Sequence, residues 1–181
     1  MACQAMQLSQ VTIQANKPTE TTATLQLIPS GKAGTIATLK LMSRLVKNGK
    51  KSLPVRQAAL SLVKNNYQKD WAGEVKDLHR FVRDNIRYVR DIRGIETLQT
   101  PDKTLEFDQG DCDDKSVLLA SLLEAIGHPT RFVAIAQTGE EFVHVYPETK
   151  IGGTWISLET TEPVEIGWQP KRVSKRLIWF N

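Results

Sequence analysis

Gly110-Asp111-Cys112-Asp113-Asp114-Lys115-Ser116-Val117-Leu118-Leu119-Ala120-Ser121-Leu122-Leu123-Glu124-Ala125-Ile126-Gly127 is the stretch on which the fold turns. Leu118, Leu119, Leu122, Leu123 and Ile126 recur at spacings that hold them on one helical face, and Gly127 supplies the stop. The pattern predicts a helix over residues 111–126, with Cys112 in or just before its first turn. Unpaired backbone N–H groups and the positive end of the macrodipole favour a thiolate there, and the same donors can hold an oxyanion formed beside the sulfur. Asp111, Asp113 and Asp114 oppose the thiolate unless they turn outward or pair with cations. Asp113 and Asp114 read equally well as first-turn caps.

Downstream, Phe142-Val143-His144-Val145-Tyr146 is an aromatic and β-branched run bounded by Thr138-Gly139 and Pro147. Alternation places His144 on a strand face shared with Phe142 and Tyr146. Trp155-Ile156-Ser157-Leu158-Glu159 follows Gly152-Gly153, so a hairpin brings Glu159 beside His144. A carboxylate there orients the imidazole and stabilises its protonated form, while the other ring nitrogen takes the thiol proton. Taken singly, such a cysteine is more often an inert packed thiol, such a histidine a satisfied core residue and such a glutamate a solvated one. Their order and context carry the argument. Gln99 and Gln109, on the loop leading into the helix, are candidate side-chain oxyanion donors, and Tyr88 is a candidate for the cleft wall.

The run from Gly110 through Gly127-His128-Pro129-Thr130-Arg131-Phe132-Val133 resembles the cysteine-bearing helix and following strand of the transglutaminase-like superfamily. The G-x-C, apolar helix, A-x-G-x-P-x-R and strand pattern is matched nearly throughout. The family next has a histidine on a strand, matched by His144, and a Trp-x-x-Leu-Asp-x-Thr strand, matched by Trp155-Ile156-Ser157-Leu158-Glu159-Thr160-Thr161. The resemblance extends from about Trp71 to Thr161, with Glu159 standing where Asp is usual and Val145 where many members carry a small residue. It implies a papain-like core, amide acyl chemistry, and the roles of nucleophile for Cys112, general base and then acid for His144, and orienter for Glu159. Gly34-Thr35-Ile36-Ala37-Thr38-Leu39-Lys40-Leu41-Met42 and Ile95-Glu96-Thr97-Leu98-Gln99-Thr100-Pro101 are similar to transglutaminase-like proteins among the virion genes of tailed phages and prophages.

Composition bounds the rest. The 181 residues are 40% hydrophobic and 24% charged, ordinary for a soluble globular domain with a core of its own. No run approaches eighteen apolar residues and Met1-Ala2-Cys3-Gln4-Ala5-Met6-Gln7 lacks a secretory pattern, so the expectation is a soluble chain made in a cytoplasm, with the virion as a further location. Cys3 and Cys112 cannot build a disulfide framework and read as free thiols. The net charge of +4 gathers in Lys40–Arg56 and Lys171–Arg176, but neither patch interleaves aromatics for base stacking, so nucleic acid is not the expected partner.

Residues 1–30 read as a Thr, Gln and Ser-rich, strand-bearing arm, with alternation in Val11-Thr12-Ile13 and Leu25-Gln26-Leu27-Ile28. The domain is expected over 31–181: helices across 34–92, the cysteine helix at 111–126 and strands across 131–180. Gly34 to Asn48 carries one apolar face, Pro54 opens a second helix, and Asp70 caps a third with Val75, Leu78, Phe81 and Val82 buried. Ile86–Val89 reads as extended. Gly94 to Gln109 reads as a loop, with a turn at Pro101 and anchors at Leu105 and Phe107. Helices preceding strands argue an α+β fold with an antiparallel sheet.

No metal or cofactor is expected. Asp108, Asp111, Asp113 and Asp114 lack the offsets of an EF-hand, and His79, His128 and His144 are not at zinc-ligand spacing. His79 and His128 read as structural or exposed. Attack of Cys112 on a peptide or glutamine amide of a protein or peptide substrate gives a thioester, which water resolves in a peptidase or amidase and a lysine amine in a crosslinker. Hydrolysis is favoured because water needs no second binding site. The rival is a structural tail, connector or head protein of a phage virion that keeps the fold with little catalysis and pairs with other virion proteins through its arm.

Overall fold

The computed structural model describes residues 29–91 and 97–181. The expected arm strands at 11–13 and 25–28 lie outside the described residues, as do Ile95 and Glu96. The helices are α1 (Gly31–Gly49), α2 (Leu53–Val63), α3 (Trp71–Asn85), α4 (Pro101–Phe107) and α5 (Cys112–Ala125). The strands are β1 (Arg87–Tyr88), β2 (Gln109–Gly110), β3 (Thr130–Ala136), β4 (His144–Ile151), β5 (Thr154–Ser157) and β6 (Lys175–Phe180). Strands β3 to β6 form one antiparallel sheet in the order β5-β4-β3-β6, and β1 and β2 form a short parallel pair beside the start of α5. The α+β arrangement expected from the segregation of helices and strands is the one the chain adopts.

Helix α5 runs through the middle of the molecule. Its leucines Leu118, Leu119, Leu122 and Leu123 pack on Val55 and Ala59 of α2 and on Val75, Leu78 and Val82 of α3. Val117 and Ala120, on its other flank, pack with Leu39, Met42 and Val46 of α1 and with Phe132, Ala134 and Val145 of the sheet. The helix is therefore buried all round rather than on one face, and its polar residues need internal partners. Ser116 Oγ donates to Val145 O at 3.3 Å, Ser121 Oγ to Val117 O at 2.7 Å and Lys115 Nζ to Ile86 O at 2.7 Å.

Pro101 was expected to mark a turn in a loop. Instead it sits at the start of α4, where a missing N–H costs nothing. Pro101 and Thr104 are the buried residues of that helix and Leu105 packs against the core, whereas Phe107, the second expected anchor, is exposed. Pro147, expected to end the histidine strand, lies inside β4 opposite Phe132. Its carbonyl accepts from Leu158 N at 2.9 Å, so its missing N–H faces β5, where the ladder stops. Phe142 precedes the strand and packs with Val145 on the helix side rather than with Tyr146, which joins Val133 and Ile135 on the other face. Gly152 and Gly153 close the β4–β5 hairpin with φ of 56° and 88°, the two positive values that a tight two-residue turn requires.

Candidate active site

Three elements meet at Cys112. Asp111 caps α5: its carboxylate accepts from Asp113 N at 2.9 Å and Asp114 N at 3.2 Å, while Asp114 reaches back to Asp111 N at 3.3 Å. This is a reciprocal capping box. Lys115 N bonds Asp111 O, so this set of contacts leaves aside the N–H of Cys112 itself. Cys112 and Asp113, from the helix start, line a cleft of about 220 Å³ with His144 of β4, and Leu39, Met42 and Phe142 give it an apolar wall.

The β4–β5 hairpin carries His144 to Glu159. His144 Nε2 lies 2.6 Å from Glu159 Oε2. The other carboxylate oxygen accepts the N–H and the hydroxyl of Thr161, each at 2.7 Å. Burial works against the Glu159 charge, but the His144 and Thr161 hydrogen bonds outweigh it and hold the carboxyl below its usual range. With the Nε2 proton directed to Glu159, the lone pair of a neutral His144 is on Nδ1. Glu148 pairs with Arg131 at 2.7 Å and Asp114 is taken up by the cap and Gln99, so neither competes for the imidazole.

The sulfur is a different matter. Burial, then the carboxylates of Asp113 and Asp111, push the Cys112 thiol well above the ordinary cysteine range, and its Sγ lies 3.4 Å from Asp113 Oδ1. These effects overrule the helix terminus, which alone would favour a thiolate. At neutral pH the resting group is a thiol.

Gln99 does not turn toward the sulfur. Its side-chain Nε2 donates to Asp114 Oδ2 at 2.8 Å and to Gln109 O at 3.3 Å, and its backbone N–H donates to Asp114 Oδ1 at 2.7 Å. Both side-chain N–H groups are engaged inside the fold, so Gln99 supports the cap instead of offering a donor to the cleft. Gln109 accepts from Arg87 Nη2 at 2.6 Å through Oε1. Tyr88, expected at the cleft wall, is 47% exposed in β1 and does not line the cleft with Cys112 and His144; burial pushes its phenol up.

Two further residues bear on the site: His79, expected to be structural or exposed, and Lys115, for which the sequence suggested no role. His79 is fully buried on α3, and its Nε2 lies 2.5 Å from the carbonyl oxygen of Glu159. Lys115, 2% exposed, reaches across to the end of α3, and burial lowers its ammonium to about 8. The available signal for His79 was its place among Val75, Leu78 and Val82 on the buried stripe. Asp111, Cys112 and Asp113 place one potential ligand atom each within 4.8 Å of one another, the single such set among the described residues. The Asp111 carboxylate is already committed to two backbone donors, so the set is a poor fit for a cation that needs six or more free oxygens. No helix among the described residues is long and apolar enough to cross a membrane.

Residues 57–160 match the family model of the transglutaminase-like superfamily. The fold is similar to that of a candidate cysteine protease from Cytophaga hutchinsonii, with a TM-score of 0.50 and 18% identity over 71% of this chain and 46% of that one. It is also similar to a candidate protease from Parabacteroides distasonis, with a TM-score of 0.56 and 15% identity over 69% of this chain and 26% of that one. This chain thus spans less than half the length of either structure. No curated protein matches it.

Proposed function

The chain belongs to the transglutaminase-like superfamily, and from that premise we propose that it is a cysteine-dependent amide hydrolase, a peptidase or amidase, acting through Cys112, His144 and Glu159. The observation that carries this reading is the 2.6 Å contact of His144 with a buried, ionised Glu159, at a cleft that Cys112 also lines. Such a pair fixes the imidazole tautomer and stabilises the imidazolium once it forms.

Because the thiol is pushed up, its proton leaves in company with attack and not beforehand. Cys112 Sγ bonds the amide carbonyl carbon as His144 Nδ1 takes the thiol proton. The oxyanion of the tetrahedral intermediate is held by the backbone N–H of Cys112 at the helix terminus. Collapse expels the amine, which receives the proton from His144, and leaves a thioester on Cys112. Water then attacks the thioester, His144 takes its proton, and the carboxylic acid departs as the sulfur is reprotonated.

The direct test incubates the Cys3→Ser protein with a panel of peptide amides and follows amine release and the acyl adduct on Cys112 by mass spectrometry. Hydrolysis lost in Cys112→Ala and His144→Ala supports the reading. Turnover that survives Cys112→Ala overturns it. Transfer of the acyl group to an added primary amine in preference to water would make the protein a crosslinker. A virion setting rests on the sequence likeness alone and adds no residue to the site.

A further inference from the structure

Glu159 lies beyond the end of β5, past Ser157, so no ladder pair fixes its backbone. Pro147 removes the N–H that would have extended the pairing. A triad carboxylate in such a place needs another anchor if its oxygen is to stay in register with an imidazole 2.6 Å away. The side chain is anchored by Thr161, and the main chain by His79.

The acceptor is a carbonyl, so the His79 Nε2 must carry the proton. His79 Nδ1 is buried and has no hydrogen-bond partner among the described residues. A protonated ring would strand a charged N–H in the core, so burial outweighs the Glu159 bond and keeps the imidazole neutral, lowering its pKa. An apolar side chain between Leu78 and Val82 would pack without leaving a lone pair orphaned. The histidine thus carries a desolvation cost at this position, and the hydrogen bond to the Glu159 carbonyl is what offsets it.

We propose that His79, in its neutral Nε2–H form, is a positioning residue that fixes the Glu159 main chain and thereby aligns the Glu159 carboxylate with His144. This deepens the triad reading and rests on it. His79 does not line the cleft. Its part is to hold still the short segment that carries the orienting carboxylate.

The experiment uses the full chain with Cys3→Ser, so that iodoacetamide reports Cys112 alone, and it needs no knowledge of the substrate. Labelling rates are measured across pH for His79→Phe, His79→Gln, Glu159→Gln and His144→Ala, with heteronuclear NMR of the imidazole nitrogens in the parent protein. The proposal expects an Nε2–H tautomer for His79, and a labelling rate in His79→Phe displaced roughly tenfold in the direction of Glu159→Gln. It expects near-parental labelling in His79→Gln, whose amide can donate from the same place. An Nδ1–H or doubly protonated His79 overturns the proposal even if the Phe variant fails to fold. Parental labelling in a folded His79→Phe, with Glu159→Gln displaced, overturns it while leaving the triad intact. If Glu159→Gln and His144→Ala both label as the parent does, the triad reading falls and the role of His79 falls with it.

Discussion

Glu159 Oε2 stands 2.6 Å from His144 Nε2, while Glu159 Oε1 is held by both donors of Thr161. Three donors thus engage this carboxylate, and the group is 1% exposed. Replacing it with the neutral, near-isosteric Gln keeps the volume and removes the charge that supports the imidazolium. Glu159→Gln is expected to lower the rate of amide hydrolysis on the order of 10²-fold with little change in thermal stability. Steady-state kinetics beside a melting curve decide it: an active Glu159→Gln enzyme would remove the third member of the triad.

Asp113 bears on the thiol directly. After burial, it is the largest influence raising Cys112, through its charge and a contact of 3.4 Å to the sulfur. Asp113→Asn removes that charge, so the thiolate should form at lower pH and iodoacetamide should label Cys112 faster at pH 7 in a Cys3→Ser background. Equal or slower labelling would show that the carboxylate does not oppose ionisation of the sulfur.

How much of this was legible beforehand depends on how local the signal was. The Cys112 helix, the Gly152-Gly153 hairpin and the meeting of His144 with Glu159 are set by spacing within a few dozen residues, and the pattern displays them. The cap falls on Asp111 rather than on Asp113 or Asp114, because only the capping box decides which carboxylate of the run sits at the helix start. Pro101 and Pro147 were misread because proline punctuates both turns and element starts. Only the packing of α4 on α5 and the end of the β5 ladder decide which role applies. Gln99 was misplaced because its partner, Asp114, is fixed by the capping box and not by sequence distance. His79 reads from sequence only as structural or exposed, because its contact lies 80 positions away, a pairing no periodicity encodes.

The cap has a pH signature. Burial first, then the neighbouring Asp114, raise the Asp111 carboxyl from 3.8 to about 7, against the lowering effect of the helix N–H bonds. The folded chain therefore retains a proton between those pH values that the unfolded chain releases. Folding takes up a proton in that window, so stability falls as pH rises from about 4 to about 7 and stays reduced above it. A shift of this size corresponds to roughly 4 kcal/mol at most. Asn caps a helix as well as Asp does, so Asp111→Asn should raise the denaturation midpoint at pH 8 and match the parent near pH 4. A gain of equal size at both pH values would mean that it does not come from the buried charge.

Gly110 precedes the cap and leaves no room for a side chain. A Cβ there would fall 2.5 Å from Asp114 Cβ and 2.9 Å from its Oδ2, closer than side chains pack. Asp114 cannot swing aside, because Gln99 holds its carboxylate through both the main-chain N–H and the side-chain amide. The backbone must move instead, and it carries Asp111 and Cys112 with it. Gly110→Ala is expected to cost about 1–3 kcal/mol, as overpacking of a filled site does, read as a lower urea midpoint with an unchanged slope. Hydrolysis should fall further than the loss of folded protein explains, since the displaced atoms are those that place the sulfur. A variant with parental stability and parental activity would show slack between β2 and α5, and the tight junction between Gly110 and Asp114 could then not be what sets the position of Cys112.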